Sequence, residues 1–323
     1  MKKRCAMWAT AICALVAALA SPLASGQAWP QRPVKVVVPF VAGGNTDNQA
    51  RIVSQRLAAV LGQSFVVENR VGAGGAIAAE YVARSPADGY TFFFAASPQF
   101  SLHLVQKVNF DPYKDFAPVS VVGTNPFVLG VHVSVPANTL KEFVAYVKAR
   151  PGQLNYASAG NGTTTHLTGA MFLARAGIQM AHVPYKGGAQ AIADLVGGQV
   201  QMYFGNASEL IAQSKSGKIR MLGVSSEKRA PQLPDVPAIA ESFAGFRTGT
   251  WNGYLAPAGT PKVIIDQLAQ EVAKIVREPQ TAERLRSIGV EPLGNTPAEF
   301  AEFLRREAPF WSEAVRASGI KLD

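Results

Sequence analysis

Cysteine is nearly absent from this chain. The 323 residues include two cysteines, Cys5 and Cys13, and both lie in the apolar N-terminal segment. If that segment is removed on export, the remaining chain has no thiol, which excludes disulfides, cysteine-ligated metals and cysteine catalysis. We therefore expect a packed hydrophobic core to hold the protein together.

Clusters of positive charge and metal-ligand spacings are absent as well. The formal net charge of +9 falls to +6 without the three cations Lys2, Lys3 and Arg4, and the other cations are scattered. The sequence thus lacks the electrostatic footprint of a nucleic-acid-binding protein, although a weak positive field favours small anions. The four histidines have no metal-ligand spacing, so we predict no metal site and no nucleic-acid partner.

Signatures of catalysis are also missing. Ser158 has no glycine two positions before it, as a nucleophile elbow would require, and the turn at 72–77 has Ile77 at the third glycine position of a dinucleotide site. No pair of carboxylates has an evident acid–base task. We expect no catalytic residue, and an exported hydrolase that uses Ser158 is the enzymatic alternative.

One apolar run does stand out, and it lies at the N-terminus. Residues 6–19 are apolar, follow three cations, and are followed by small residues that end in Gly26 and Ala28. This is the pattern of a secretory signal peptide, and the run is shorter than the roughly 20 residues of a membrane span. We predict a signal peptide over 1–28, cleavage before Trp29, and a soluble periplasmic protein.

Strand-like and helix-like segments alternate along the rest of the chain. Short β-branched runs are predicted as strands at 34–39, 64–68, 90–95, 117–122, 127–131, 199–204 and 219–224. Helical periodicity between them predicts helices at 48–61, 76–83, 140–149, 165–176, 189–196 and 209–216. The alternation indicates an α/β fold with mostly parallel sheets.

The length predicts two compact units, yet no linker divides the chain into consecutive halves. We therefore expect interleaved lobes, with crossings at 123–126 and 245–250. Lobe 1 would comprise 29–126 plus 247–323, and lobe 2 would comprise 127–246.

Two glycine-bearing turns carry the functional prediction. One joins the run at 34–40 to a helix that starts near Thr46, and the other joins 154–157 to a helix that starts near Thr165. Glycine permits a tight turn, and unpaired N–H groups at the helix start would face a small anion. Two such turns predict an anion-binding cleft between the lobes.

Three side chains could each have either a structural or a ligand-binding role. Asp47 would either cap its helix or position a water or ligand donor. His166 would either line the cleft or pack locally. Lys186 would either attract an anionic ligand or remain a solvated lysine in a turn.

The chain resembles the receptors of tripartite tricarboxylate transporters, also called Bug proteins. The motifs that carry the resemblance lie at 39–40, 43–44, 46–47, 67–70, 72–75, 88–91, 116–119, 154–162, 182–187, 233–237 and 256–261. The resemblance implies a type 2 periplasmic-binding-protein fold, in which two interleaved α/β lobes are joined by two crossing strands around a ligand cleft. It also implies a receptor without a cofactor, which captures a small carboxylate and passes it to a two-subunit membrane permease.

The resemblance also implies ligand-binding residues. In the first-lobe loop they are Phe40, Gly44, Thr46 and Asp47, and in the second-lobe loop they are Ser158, Gly160, Thr163, Thr164 and His166. Ser97 and Asn206 fall on further cleft-facing loops. We expect a monomer, and a periplasmic sensor that docks on a membrane signalling protein is the alternative function.

The sequence departs from the family pattern at three places. Asn45 stands where a third glycine is common, the loop at 97–100 is unusual, and Gly205 stands where an aspartate is frequent. Loss of that aspartate removes a partner for an amino group. We therefore expect a plain carboxylate rather than an amino acid.

Overall fold

The computed structural model describes residues 29–318. One compact unit that begins at Arg32 contains both β-sheets of the described chain. The predicted signal peptide at 1–28 lies outside the described residues. Within the described part, no helix is long and apolar enough to span a bilayer.

Eleven strands form the two sheets of the described residues. They are β1 (Val34–Val38), β2 (Phe65–Asn69), β3 (Thr91–Ala96), β4 (Phe116–Asn125), β5 (Phe127–His132), β6 (Asn155–Ser158), β7 (Ala181–Pro184), β8 (Met202–Asn206), β9 (Ile219–Val224), β10 (Thr250–Pro257) and β11 (Glu291–Pro292). The six-stranded sheet has the order β11-β4-β10-β3-β1-β2, and the five-stranded sheet has the order β7-β6-β8-β5-β9. Each predicted strand is present, with ends that differ by at most three residues.

Helices connect the strands. They are α1 (Asn45–Leu61), α2 (Ala76–Ala83), α3 (Leu140–Lys148), α4 (Thr164–Ala176), α5 (Gly188–Val196), α6 (Ala207–Ser214), α7 (Lys262–Arg277), α8 (Pro279–Ser287) and α9 (Pro297–Ser318). Short 3-10 turns occur at Ala73–Gly75, Ser97–Phe100, Leu102–Leu104 and Ile239–Glu241. The six helices predicted between strands are present, which confirms the α/β alternation.

The expectation of mostly parallel sheets is wrong, because both sheets are mixed. β1 pairs in parallel with β2 and β3, and β6 pairs in parallel with β7 and β8. β10 is antiparallel to β3 and β4, β11 is antiparallel to β4, and β5 is antiparallel to β8 and β9. The four strands that flank the changes of sheet, β4, β5, β9 and β10, pair only with antiparallel neighbours.

The chain changes sheets twice. β4 ends at Asn125 in the first sheet and β5 begins at Phe127 in the second, so Pro126 alone separates them. After β9 the chain returns to the first sheet at Thr250, where β10 begins. The exact lobe limits at 126/127 and 246/247 stay a prediction.

Both sheets are buried by apolar side chains. In the first sheet, Val36, Val37 and Val38 of β1 are fully buried, and Phe93 packs in the same cluster as Val37. In the second sheet, Leu129 of β5 is fully buried in a separate cluster. Each sheet thus has its own core.

Candidate functional site

A cavity lies at the carboxyl ends of strands from both sheets. It is lined by Phe40, Gly44, Asn45, Thr46, Ala96, Pro98, Phe127, Ala159, Thr163, Thr164, Thr165, Gly188, Asn206, Glu209 and Thr250. Ligands of open α/β sheets bind in crevices at these strand ends. The cavity volume is about 30 Å³, which is room for about two waters at roughly 10–15 Å³ each.

The first wall of the cavity is the N-terminus of α1. Gly44 is the N-cap residue in an extended conformation, with φ −77° and ψ 173°. The first N–H groups of a helix have no partner within the helix, and the helix dipole favours negative charge at this end. Gly44 and Thr46 therefore lie where the sequence predicted an anion cradle.

Asn252 of β10 fixes this helix start. Its Oδ1 atom accepts hydrogen bonds from Asn45 Nδ2 and Gln49 Nε2, each at 2.8 Å, and its Nδ2 group donates to Thr46 Oγ1 at 3.0 Å. Asn252 is fully buried. The return strand between the sheets thereby sets the position of the first cradle.

Asp47 stabilises the same turn without lining the cavity. Its carboxylate accepts hydrogen bonds from Gly43 N, Arg51 Nε and Asn69 Nδ2, each at 2.9 Å, and it does not line the cavity. Burial by itself would raise the pKa of Asp47, but the hydrogen bonds from Arg51, Gly43 and Asn69 outweigh it and lower the pKa below 3.8. The geometry therefore favours the structural reading of Asp47.

The second wall is the N-terminus of α4. Thr163 is the N-cap residue, and its Oγ1 atom accepts from His166 N at 3.4 Å and donates to Gly160 O at 2.7 Å. Thr165 Oγ1 accepts from Ala159 N at 2.9 Å. These bonds shape the turn. Thr164 and Thr165, the first two residues of α4, line the cavity, and the first N–H groups of a helix have no partner within the helix.

His166 and Ser158 lie apart from this lining. The His166 ring stacks on His182 with 3.7 Å between ring centroids and 4° between planes, and it lines a different cavity beside Tyr156. Ser158 Oγ is 2.7 Å from His182 Nε2 and donates to Gly160 O at 3.0 Å. Ser158, at the end of β6, and His166, in the first turn of α4, therefore both support the α4 turn.

The histidine pair is held in the neutral form. Burial lowers the pKa of His166 to about 4, and burial together with the charge of His166 lowers the pKa of His182 to about 3. Ser158 is fully buried. The Ser158–His182 contact consequently lacks the exposed nucleophile that the hydrolase alternative needs.

Of the four remaining predicted residues, three line one of two neighbouring cavities, and Ser97 lines neither. Phe40 and Asn206 line the cavity described above, and Ser97 lies behind it with its Oγ atom 2.8 Å from Thr250 Oγ1. Gly160 lines a second cavity of about 200 Å³, which shares Phe40 and Ala159 with the first and also contacts Lys186. We call these the inner and the outer cavity.

Glu209 is the residue that sequence reasoning missed. It is the third residue of α6, and its Oε2 atom accepts hydrogen bonds from Tyr203 Oη at 3.0 Å and from Asn206 N at 3.1 Å. The backbone N–H of Asn45, on the first-sheet side, also donates to this carboxylate. The sequence signal was the Asn-x-x-Glu spacing of a capping box, which predicts a helix start but not a position in a cleft.

A larger cavity lies beside the crossing segments. Its volume is about 650 Å³, its lining includes Arg229, Arg247 and Glu307, and it shares Thr250 with the inner cavity. None of the ligand-binding residues expected from the sequence lines it. The convergence of two helix N-termini distinguishes the inner cavity as the candidate site.

Comparison with known proteins agrees with this geometry. The family model for the tripartite tricarboxylate transporter family receptor matches residues 49–320. BugT of Bordetella pertussis is 34% identical over 310 residues, which cover 95% of each chain. By these matches the chain belongs to the tripartite tricarboxylate transporter receptor family.

Solved structures of relatives have the same two-lobe fold. R. palustris Rpa4515 with adipate superposes with a TM-score of 0.90 at 37% identity, covering 92% of this chain and 100% of that protein. The periplasmic binding protein BugD gives a TM-score of 0.88 at 36% identity, with coverage of 91% and 100%. MatC of Rhodopseudomonas palustris with bound malate gives 0.84 at 31% identity, with coverage of 89% and 100%. These relatives are periplasmic solute-binding receptors, and the chain is a receptor of this class rather than an enzyme.

Proposed function

We propose that this chain is a periplasmic receptor that traps a small carboxylate between its lobes and delivers it to a two-subunit membrane permease. The observation that carries the proposal is the convergence of the α1 and α4 N-termini on the inner cavity. Relatives solved with adipate and malate support the ligand class. The receptor acts as a monomer after removal of 1–28, with the lobe limits given above.

The proposed contacts are main-chain amides and small side chains. Gly44 and Thr46 would serve one end of the ligand, and Thr163 and Thr164 the other, with Phe40 and Asn206 on the flanks. Hydrogen bonds to a charged group contribute about 1.5–3 kcal/mol each, and micromolar binding needs about 8 kcal/mol. A few such donors are therefore sufficient without an arginine. Asp47, Ser97, Ser158 and His166 would hold the loops rather than touch the ligand.

Thermal unfolding in the presence of organic acids and amino acids tests ligand binding. A ligand that binds only the folded state raises the apparent stability, by about 2.7 kcal/mol at a hundred times its Kd. We expect at least one acid of the panel to raise the Tm. A panel of carboxylates without any stabilising member would contradict the proposal.

Uptake by the parent bacterium tests delivery. Deletion of the gene should abolish uptake of the radiolabelled ligand, and an exported copy should restore it. Uptake that persists unchanged, together with loss of a transcriptional response to the ligand, would favour the sensor alternative.

A further inference from the structure

The carboxylate of Glu209 occupies space that two glycines leave open. A Cβ atom at Gly205 would lie 3.2 Å from Glu209 Oε2, and a Cβ atom at Gly188 would overlap Glu209 Oε1. A Cβ atom at Gly44, on the opposite wall, would lie 3.8 Å from the same Oε1 atom. Glu209, in the helix that follows β8, therefore supplies an acid close to position 205. Its side chain reaches the inner cavity.

The groups that hold this carboxylate are neutral. Tyr203 Oη, the backbone N–H and side chain of Asn206, and the backbone N–H of Asn45 hydrogen-bond to it. Burial raises the pKa of Glu209 even though each of these hydrogen bonds lowers it. Of the described residues that line the inner cavity, Glu209 alone has an acidic or basic side chain.

The outer cavity has the opposite charge. Of the described residues that line it, Lys186 alone is charged, and Lys186 is exposed. An ionised carboxylate disfavours a second anion nearby and favours a cation, and partial burial strengthens both effects. With Glu209 ionised, the inner cavity is negative and the outer cavity, beside Lys186, is positive.

We propose that Glu209 determines ligand specificity by pairing with a protonated amino group, so that the ligand is an amino acid with its carboxylates on the helix N-termini. This inference rests on the proposed function, because it assigns the ligand class of the same cleft. It reverses the expectation of a plain carboxylate, which depended on the missing acid at position 205. Charge-assisted hydrogen bonds of this kind are about twice as strong as neutral ones.

Matched ligand pairs test the inference directly. Calorimetric titration at pH 7.5 would compare succinate with aspartate, glutarate with glutamate, and adipate with α-aminoadipate. For the wild-type protein we expect the amino member of the best-binding pair to bind about tenfold more tightly or better, and Glu209→Gln should remove this preference. Glu142→Gln is the matched control, because Glu142 is also the third residue of a helix and accepts Asn138 N in a capping box, but it does not line the cleft cavities.

Gly188→Ala provides a second variant in case Glu209→Gln does not fold. It retains the acid but displaces its carboxylate, because the new Cβ atom would overlap Glu209 Oε1. We expect the same loss of preference for the amino ligand. If neither variant is stable, the wild-type ratio still tests the predicted preference for an amino ligand.

Three results would overturn the inference. A plain acid that binds the wild-type protein as tightly as its amino counterpart, or a best panel ligand without an amino group, would refute the pairing and leave the carboxylate receptor intact. Retention of the amino preference in Glu209→Gln would assign the selection to other residues. Absence of binding by every acid, with or without an amino group, would refute the proposed function together with this inference.

Discussion

Asn45 and Asn252 are 207 positions apart in the sequence, yet Asn45 Nδ2 donates a hydrogen bond of 2.8 Å to Asn252 Oδ1. The bond joins the first residue of α1 to the strand that returns from the second sheet. Asn125, at the end of the outgoing strand, donates to Asn45 Oδ1 at 3.2 Å. The first cradle is consequently fixed to both places where the chain changes sheets.

Asn252→Ala should destabilise the protein. The substitution removes the acceptor for two buried amides, and a buried polar group left unsatisfied costs about 1–3 kcal/mol. Urea unfolding at pH 7 measures the change, with Asn138→Ala on the surface as the control, for which we expect less than about 0.5 kcal/mol. Equal effects of the two substitutions would contradict the role of Asn252.

Thr164→Pro should weaken ligand binding without unfolding α4. Proline is accepted at the first position of a helix, and Thr163 before it is already extended, with φ −69° and ψ 159°. The substitution deletes one N–H group from the proposed cradle, so we expect affinity to fall by about 1.5–3 kcal/mol.

Thr164→Ala is the matched control, because it removes the hydroxyl and keeps the N–H group. Calorimetric titration of both variants with the tightest ligand separates the two contributions. Unchanged affinity in Thr164→Pro would show that this amide does not contact the ligand.

Asp47→Asn should destabilise the protein at neutral pH and less so in acid. The folded-state pKa of Asp47 lies below 3.8, so the unfolded chain is protonated first as the pH falls. The carboxylate contribution is then full at pH 7 and disappears as the pH falls below about 3.8 through the folded-state pKa. Urea unfolding at pH 7, 5 and 3 should give a difference of about 1–2 kcal/mol at pH 7 that is smaller at pH 3, where the unfolded chain is already mostly protonated at this position. A difference independent of pH would refute the ionised role of Asp47.

His166 and His182 should stay neutral at every physiological pH. Their pKa values are lowered to about 4 and about 3, whereas the ordinary value is 6.5. The unfolded chain therefore binds more protons below pH 6.5, and these residues make the free energy of unfolding decrease as the pH falls from 6.5 toward 4. NMR titration of the imidazole protons should show no protonation of either ring between pH 8 and 5, while both titrate near pH 6.5 in urea. Protonation of His182 near pH 6.5 in the folded protein would contradict the stacked neutral pair.

Much of the fold was predictable because local patterns determine it. The apolar runs predicted β1 to β5, β8 and β9, and glycine close to Thr46 and Thr163 predicted the two helix starts. β10 was missed as a strand, because it is buried along its whole length and shows no alternation of polar and apolar residues. The sheet directions were also mistaken, because strand pairing depends on where the chain crosses.

The candidate site was predictable only in part, because contacts between distant segments position some of its side chains. Glycine and hydroxyl residues predict the turns near Gly44 and Thr164, and the structure brings both turns to one cavity. His166 follows the same pattern, but its ring turns toward His182, and no local signal gives that direction. Glu209 reads as an ordinary capping residue, because its approach to Gly44 and Gly188 depends on contacts between distant segments.

A crystal structure of the protein with its tightest-binding acid tests the central claim most directly. We predict a ligand carboxylate in the inner cavity, within hydrogen-bonding distance of main-chain N–H groups at the starts of both α1 and α4. An acid bound instead in the cavity beside Arg229 and Arg247, or on the outer surface with the inner cavity unchanged, would contradict the account.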